Sequence, residues 1–559
     1  MKKRIFRKKS MLLAAALALF AFAGCAGKTE PAPSSAPDPS ANADVSEEAP
    51  AAPQPLDAAS ENTVVIGWSS DLKTLDPGHV YEVFGNMITY ATYDMLFRFE
   101  KDATDAPKPS LVTEDWSLDE SRTVYTFPLR EDAVFSASGN KLTSADVLFS
   151  IERVRNLKSN TYSYVEGIAD VAAPDERTIV ITLTEPDASF LTKLASNAFC
   201  VLDSEVVKAN GGTSAADAAS ADTARDYLDQ HSAGSGPYAL VSWTPNVELV
   251  LQKNPNYWGE SGNVDRYILK EIPDPNTQLQ MIQKGEIDIA YALSADNIKQ
   301  LENNPDVRIL KGRTSVITFL MMNNDAAVGG PVANPDVQQA VRRAINYQEL
   351  LDLCGEGALL PMDFVPLGFV GALEREAGYT NLDEAKRLME KAGYADGFEV
   401  TLTTANFDTE GMQWTTIAQK IQSDLAKIGI TVKVQTSEIG VVIDEYREGK
   451  SPFLVMHWSP DYLDINNQMA FLPGETIGLR AHWPADANAE MVELGAKIKV
   501  EADPQLRAEW SEQLQRLMAE NSPYAFLLQH PKSYAARSVL SDLYYNDIAK
   551  VQLKDIIVS

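Results

Sequence analysis

A chain of 559 residues that is 45% hydrophobic and 23% charged has the composition of a globular protein with more than one core. Its 78 acidic residues outnumber 49 basic ones for a formal net charge of −29, which excludes nucleic acid as a partner because phosphate binding needs clustered Lys and Arg. Five histidines and three cysteines fall into no metal-ligand spacing, so no metal and no cofactor is expected.

The N-terminus carries the first directional signal. "MKKRIFRKKS" holds six basic residues and no acidic one, and the 14 apolar or small residues "MLLAAALALFAFAG" lead to Cys25. A basic segment, a short apolar segment and small residues at the cut make a secretory signal over residues 1–24. "FAGC" (22–25) resembles the bacterial lipobox, in which the cysteine thiol is acylated and becomes the new N-terminus, although Phe22 stands where Leu is usual. A plain secretory cut near Ala23 or Gly24 is the competing reading. Lipidation at Cys25 would anchor the chain to a membrane from the outside. Removal of residues 1–24 leaves 43 basic against 78 acidic residues, a net of −35.

Residues 26–60 contain seven Pro, ten Ala and five Ser and almost nothing large and apolar. Such a segment cannot bury enough surface to offset its ordering entropy. Residues 25–60 therefore read as a lipidated cysteine and a disordered tether, able to reach roughly 100 Å at about 3 Å per residue.

From Glu61 onward strand-like and helix-like segments alternate. "TVVIGW" (63–68), "TVYTFPLR" (123–130), "RTIVITL" (177–183) and "NVELVLQKN" (246–254) suit strands. "NPDVQQAVRRAINYQELLDLCGEG" (334–357) places Val337, Val341, Ala344 and Ile345 on one helical face. "LDEAKRLMEKAGY" (382–394) and "QWTTIAQKIQSDLAKIGI" (413–430) have the same spacing and stop at Gly393 and Gly429. Strand candidates follow them or lie between them, "FEVTLTT" (398–404) and "ITVKVQT" (430–436), which predicts an α/β fold. Cys200 and Cys354 are compatible with either one disulfide or two buried thiols.

No G-x-S-x-G, H-E-x-x-H, P-loop or G-x-G-x-x-G pattern occurs, and the expectation is that the chain is not an enzyme. A separated glycosidase carboxylate pair is the one enzymatic arrangement that sequence leaves open.

Several motifs occur in a telling order: "TLDPG" (74–78), "TYDMLFRF" (92–99), "PSLVTEDWSLDESRTVYTFPLREDAVFSASGNKLTSADVLFSIER" (109–153), "GSGPYALVSWTPNVELVLQKNPNYWG" (234–259), "GEIDIA" (285–290), "VQQAVRRAINYQELL" (337–351) and "DEAKRLMEKAGY" (383–394). From about residue 61 to the end the chain resembles the extracytoplasmic solute-binding proteins of ABC importers, in the peptide/nickel family that includes dipeptide and oligopeptide binders. The resemblance implies a two-lobed periplasmic-binding-protein clamp, type II-like, with an extra subdomain inserted in the first lobe. Residues 61–100, 232–316 and 530–559 would form lobe I, 101–231 the inserted subdomain and 317–529 lobe II. It also implies a monomer that captures a peptide or small solute in the interlobe cleft and docks on membrane permease subunits.

Site residues follow from the same resemblance. "FLVMHWSPDYLDINN" (453–467) matches the strand that ends in a Trp and, three residues on, an Asp that pairs with a peptide ammonium; these positions are Trp458 and Asp461. The competing reading makes Asp461 a turn cap after Pro460 and Trp458 core, and Asp464 is expected to shape the loop. After the L-D-P motif, Tyr81 and Val83 match residues whose backbone pairs with an extended ligand. Tyr162 is a further candidate from the inserted subdomain. "GSGPY" and "GEIDIA" are expected to be structural, and "NPNYWG" a loop between lobes. One departure stands out: dipeptide binders hold the ligand carboxylate with an Arg between a lobe II strand and the next helix, and "VTLTTANFDTEGMQWTT" (400–416) has no Arg, Lys or His. Where some oligopeptide binders have a His at the start of that helix, Gln413 stands here. This argues against a strict dipeptide binder and leaves longer peptides, a non-peptide amine or other small solute, or a ligand-sensing surface receptor.

Overall fold

The computed structural model describes residues 62–69, 72–101, 103 and 106–559. The signal segment, Cys25 and the tether lie outside the described residues. Among the described residues no helix is long and apolar enough to cross a membrane, and no group of three or more His, Cys, Asp or Glu is placed to hold a metal ion.

A ten-stranded mixed sheet runs through the fold. In chain order its strands are β1 (Thr63–Trp68), β2 (Tyr238–Thr244), β3 (Glu248–Lys253), β4 (Arg266–Glu271), β5 (Ile289–Ala290), β6 (Val307–Met322), β7 (Phe398–Ala405), β8 (Ile430–Ser437), β9 (Phe453–Trp458) and β10 (Tyr524–Arg537). Their spatial order is β8-β7-β9-β6-β10-β5-β1-β4-β3-β2. Everything turns on β6 and β10, of 16 and 14 residues, which pair antiparallel along their length. Their register runs from Val307 opposite Arg537 to Arg313 opposite Pro531, is interrupted, and resumes at Ile317 opposite Gln529. Pro531 has no N–H to give a ladder, and such interruptions let strands bend and twist.

Either side of that interruption has its own hydrophobic core. Residues 317–528 contribute one large cluster, in which Phe319, Phe471, Tyr524 and Phe526 meet edge to face. Trp68, Tyr238, Tyr267 and Tyr534 belong to a second, built from β1–β5 and the C-terminal segment. A third cluster combines residues 90–99 with the 111–233 segment. There helix α2 (Ser144–Leu157) packs on a four-stranded antiparallel sheet that includes Val124–Pro128 and Thr178–Leu183.

The strands at 63–68, 124–128, 178–183, 248–253, 398–405 and 430–437 lie where alternation or apolar runs predict them. The 334–357 stretch differs, forming Pro335–Ala344 and Tyr347–Cys354 as separate helices. Asn346 divides them because its side chain accepts from Glu349 N and starts a new helix. Gly393 and Gly429 have φ of +84° and +86°, the left-handed geometry that ends helices 382–391 and 414–426. In "GSGPY", Cβ atoms on Gly234 and Gly236 would lie 2.1 Å from Thr92 O and 2.6 Å from Thr92 C, so glycine permits this close approach. "NPNYWG" is not an interlobe loop. It connects the adjacent strands β3 and β4, and Trp258 leaves it to donate to Asp94 at 2.9 Å and to stack under the Arg130 guanidinium at 3.2 Å. Cys200 and Cys354 are both buried free thiols.

His530 sits at the interruption itself. Its Nε2 is 2.6 Å from Thr318 Oγ1, its carbonyl accepts from Thr314 Oγ1, and its Nδ1 is 3.8 Å from Cys354 Sγ. Burial, and secondarily the charge of His457, push its imidazole down to about 3 from the usual 6.5. The unfolded chain therefore binds a proton that the folded one refuses, and stability falls as pH drops from about 6.5 toward 3. Urea unfolding of His530→Gln should lose less stability between pH 7 and pH 4 than the native sequence does, and equal losses would contradict this assignment.

Candidate ligand-binding site

Tyr81 is delivered by a loop with little freedom. Asp76 of "TLDPG" is fully buried and takes both terminal nitrogens of Arg153, at 2.8 and 2.7 Å. Arg153 also donates to Asp222 at 2.7 and 2.8 Å, closing a buried ion triad between the first strand's loop and the 144–231 segment. Removing one member of such a group leaves a buried charge uncompensated. The Asp76 carbonyl accepts from His79 N and Val80 N, while Thr161 Oγ1 and Asn197 Nδ2 donate to the Gly78 and Val80 carbonyls. The chain then emerges at Tyr81, whose side chain is 51% exposed.

Asp461 is held from the other side. β9 ends at Trp458, and Asp461 N donates to Asn467 Oδ1 at 3.1 Å while Asn467 Nδ2 approaches the Asp461 carboxylate at 3.4 Å. Asp464 does shape the loop: it caps the turn of helix at 465–468 and takes Arg507 in a two-pronged pair at 2.6 and 3.0 Å. Arg507 adds a bond to Asn466.

These two rigid supports bring residues 380 positions apart together. Tyr81 OH donates to Asp461 Oδ1 at 2.7 Å, and Tyr164 OH donates to the Asp461 carbonyl at 2.8 Å. Asp461 has only neutral donors here; no ion pair engages it among the described residues. Burial raises its carboxyl above the usual range, with the Tyr81 and Asn467 hydrogen bonds acting the other way. A desolvated carboxylate without a cation is chemically suited to receive one. Trp458 packs its ring on Phe471 at 5.8 Å, nearly perpendicular, and its Nε1–H is buried without a hydrogen-bond partner. It is therefore both core packing and an unspent donor.

The other candidates lie differently. Val83 opens helix α1 (Val83–Thr92), so its backbone is helical and not extended. A first-turn residue commits its carbonyl to the helix and leaves only its N–H, so strand-like pairing through Val83 is not what this backbone offers. Tyr162 is half-buried against the 111–233 core; Tyr164, two residues on, is the one that reaches Asp461. Both tyrosines lie in "TYSY", and only the one-turn helix at 162–164 decides which of them points at the loop.

Beside His457 the segment after β7 forms a tight hairpin, Asp408–Thr409 with Met412–Gln413. Thr409 Oγ1 receives Trp414 Nε1 and contacts His457 Nδ1, both at 2.8 Å. Burial pushes the His457 imidazole down to about 4. Glu410 at the tip accepts from Lys532 Nζ at 2.7 Å, and Lys532 lies 3.7 Å above the centre of the Tyr291 ring. The segment that lacks any cation of its own thus has one supplied by the C-terminal strand β10. No local pattern marks Lys532 for this place, since only the register of β10 brings it there.

The chain matches the model of bacterial extracellular solute-binding proteins, family 5 middle, over residues 106–478. It is 28% identical over 497 residues to the "Probable D,D-dipeptide-binding periplasmic protein DdpA" of Escherichia coli, covering 88% of this chain and 92% of the relative. It is 24% identical over 387 residues to the glutathione-binding protein GsiB of Salmonella typhi, covering 68% and 71%. Among solved structures, the periplasmic binding protein DppA of Helicobacter pylori in complex with the peptide STSA aligns with a TM-score of 0.74 at 24% identity, covering 89% of this chain and 98% of that one. The type II periplasmic-binding-protein fold is thereby shared.

Tyr81→Phe removes the hydroxyl that joins Tyr81 to Asp461 and should lower stability by roughly 1 kcal/mol. Urea unfolding should show the midpoint falling accordingly, and an unchanged midpoint would show that the bond contributes nothing.

Proposed function

This chain belongs to the bacterial extracellular solute-binding proteins, family 5, and from that premise we propose that it is the lipid-anchored binding component of an ABC importer that captures peptides, longer than dipeptides, and delivers them to a membrane permease. In this reading residues 61–100, 232–316 and 530–559 form lobe I, 101–231 its inserted subdomain, and 317–529 lobe II. The hinge lies where the β6–β10 register is interrupted. Ligand binding favours the closed arrangement by its differential affinity for it.

The observation that carries the reading is Asp461. A half-buried carboxylate, raised by burial and held only by neutral donors, gains a charge-assisted bond when a peptide ammonium arrives. The Trp458 indole N–H lies at the end of the same strand, unpaired. The names of the relatives add that dipeptides, glutathione and a tetrapeptide are bound by proteins of this build. A small non-peptide amine would use the same carboxylate and is the second reading. Others of similar fold are described in complex with agropinic acid or Ni(L-His).

Two measurements test the proposal. Asp461→Asn should weaken peptides with a free N-terminus by about tenfold or more while leaving their N-acetylated forms nearly unchanged, as read by calorimetric titration; equal losses would remove Asp461 from the amine role. Cys25→Ser should move the protein from the membrane to the soluble fraction on cell fractionation, and retention in the membrane would refute the lipid anchor.

A further inference from the structure

Glu410 is an unusual choice for its position. The hairpin 408–413 turns through two residues, Glu410 and Gly411, with φ of +48° and +88°. A two-residue turn with both φ positive is suited to Asn, Asp or Gly at its first position, and Glu is the costlier occupant. The turn is held without help from the glutamate side chain, because Asp408 Oδ1 accepts from Gly411 N at 2.7 Å. A residue kept in a disfavoured conformation that the turn does not need points to a use for its side chain.

That side chain reaches Lys532 at 2.7 Å. Lys532 stands just beyond the register interruption on β10, opposite Gly312, with its ammonium on the face of Tyr291. The Tyr291 hydroxyl is buried and has no hydrogen-bond partner, and the neighbouring Tyr534 hydroxyl is in the same condition. A buried cation, one oxyanion on it, and an unused hydroxyl donor beside it make a site for a carboxylate group. Glu410 fills it from the tip of a hairpin that abuts residues 293–295.

We propose that Lys532 and Tyr291 form the subsite for the carboxylate of a bound peptide, with Glu410 as a resident stand-in that a ligand carboxylate replaces. Exchanging one carboxylate for another conserves the charge balance around Lys532 and releases Glu410 to water. Tyr81 is the counterpart at the other end, since its hydroxyl donates to Asp461 where a ligand ammonium would. The inference rests on the peptide-binding reading above and names the chemistry that ligands must carry: a free carboxylate in addition to a free amine.

The test is competition binding to the full-length protein of pooled random tripeptides to pentapeptides, made in parallel as free acids and as C-terminal amides and read by mass spectrometry. Acids should bind about tenfold tighter than amides or more. Lys532→Met should bring the acids down to the level of the amides without weakening the amides, and Lys532→Arg should restore part of the preference. Glu410→Gln, which leaves the turn and the subsite in place, should widen the acid-to-amide ratio. Equal binding of acids and amides by the native protein, or an undiminished ratio in Lys532→Met, would overturn the subsite while peptide binding stands. Failure of every acid and amide to bind would overturn the peptide reading and the subsite with it. Loss of the preference on changing Arg447 or Arg480, which act electrostatically on Tyr81, with Lys532→Met unaffected, would also overturn it.

Discussion

Two strands must belong to both halves of this molecule at once. β6 and β10 pair over nearly their whole length, yet the ladder fails between Arg313 and Ile317 opposite Pro531 and His530. A continuous ladder would fuse the two halves into one rigid sheet. A break without compensation would leave buried polar groups unpaired at the fold's centre. Here Thr314, Thr318 and Gln529 supply side-chain bonds where the backbone pairs lapse: Gln529 Nε2 donates to Thr314 O at 2.6 Å and Thr318 meets His530. The result is a segment that is satisfied and still interrupted, which is what bending at a fixed place requires.

The candidate site depends on that break because its parts come from both sides of it. Tyr81, Tyr291 and Lys532 lie on one side; Asp461, Trp458 and Glu410 lie on the other. Neither side improvises its geometry. Asp76, Arg153 and Asp222 fix the loop that presents Tyr81, and Arg507 fixes the one that presents Asp461. Buried ion pairs of this kind contribute little net stability. Their value here is positional: each converts a mobile loop into a rigid mount.

How much of this could be read from the sequence follows from where each signal is encoded. Strands such as 124–128 and 178–183 alternate because one face is wet, and helix 382–391 shows its apolar stripe for the same reason. β6 carries no such period, since from Thr314 to Met322 every residue is buried on both faces. Family likeness points to Trp458 and Asp461 as candidates because they share one strand and its exit loop. It does not point to Tyr164, because a single turn of helix rotates it past Tyr162 to the loop. Nor does it point to Lys532, because a cation sought in the 400–416 segment is supplied instead by a strand more than a hundred residues later, and register has no local signature.

The charge distribution makes the same point at larger scale. A chain with a formal net charge of −29 surrounds itself with a negative field, but exposed charges are screened within about 8–10 Å at physiological salt. That field cannot tell a peptide from any other solute. In the proposed reading, discrimination comes from groups at least partly withdrawn from water, and two of these are the half-buried Asp461 carboxylate and the buried Lys532 ammonium. Each is currently satisfied by a protein group of the complementary kind, a phenol hydroxyl in one case and a carboxylate in the other. In the proposed reading, a solute that offers only one of the two functions leaves the other pair as it is, and one that offers both replaces the Tyr81–Asp461 and Glu410–Lys532 bonds with its own. Under that proposal, selectivity for a zwitterionic chain arises from competition with the protein's own side chains, and the spacing between the two sites, not the global charge, sets which lengths can compete.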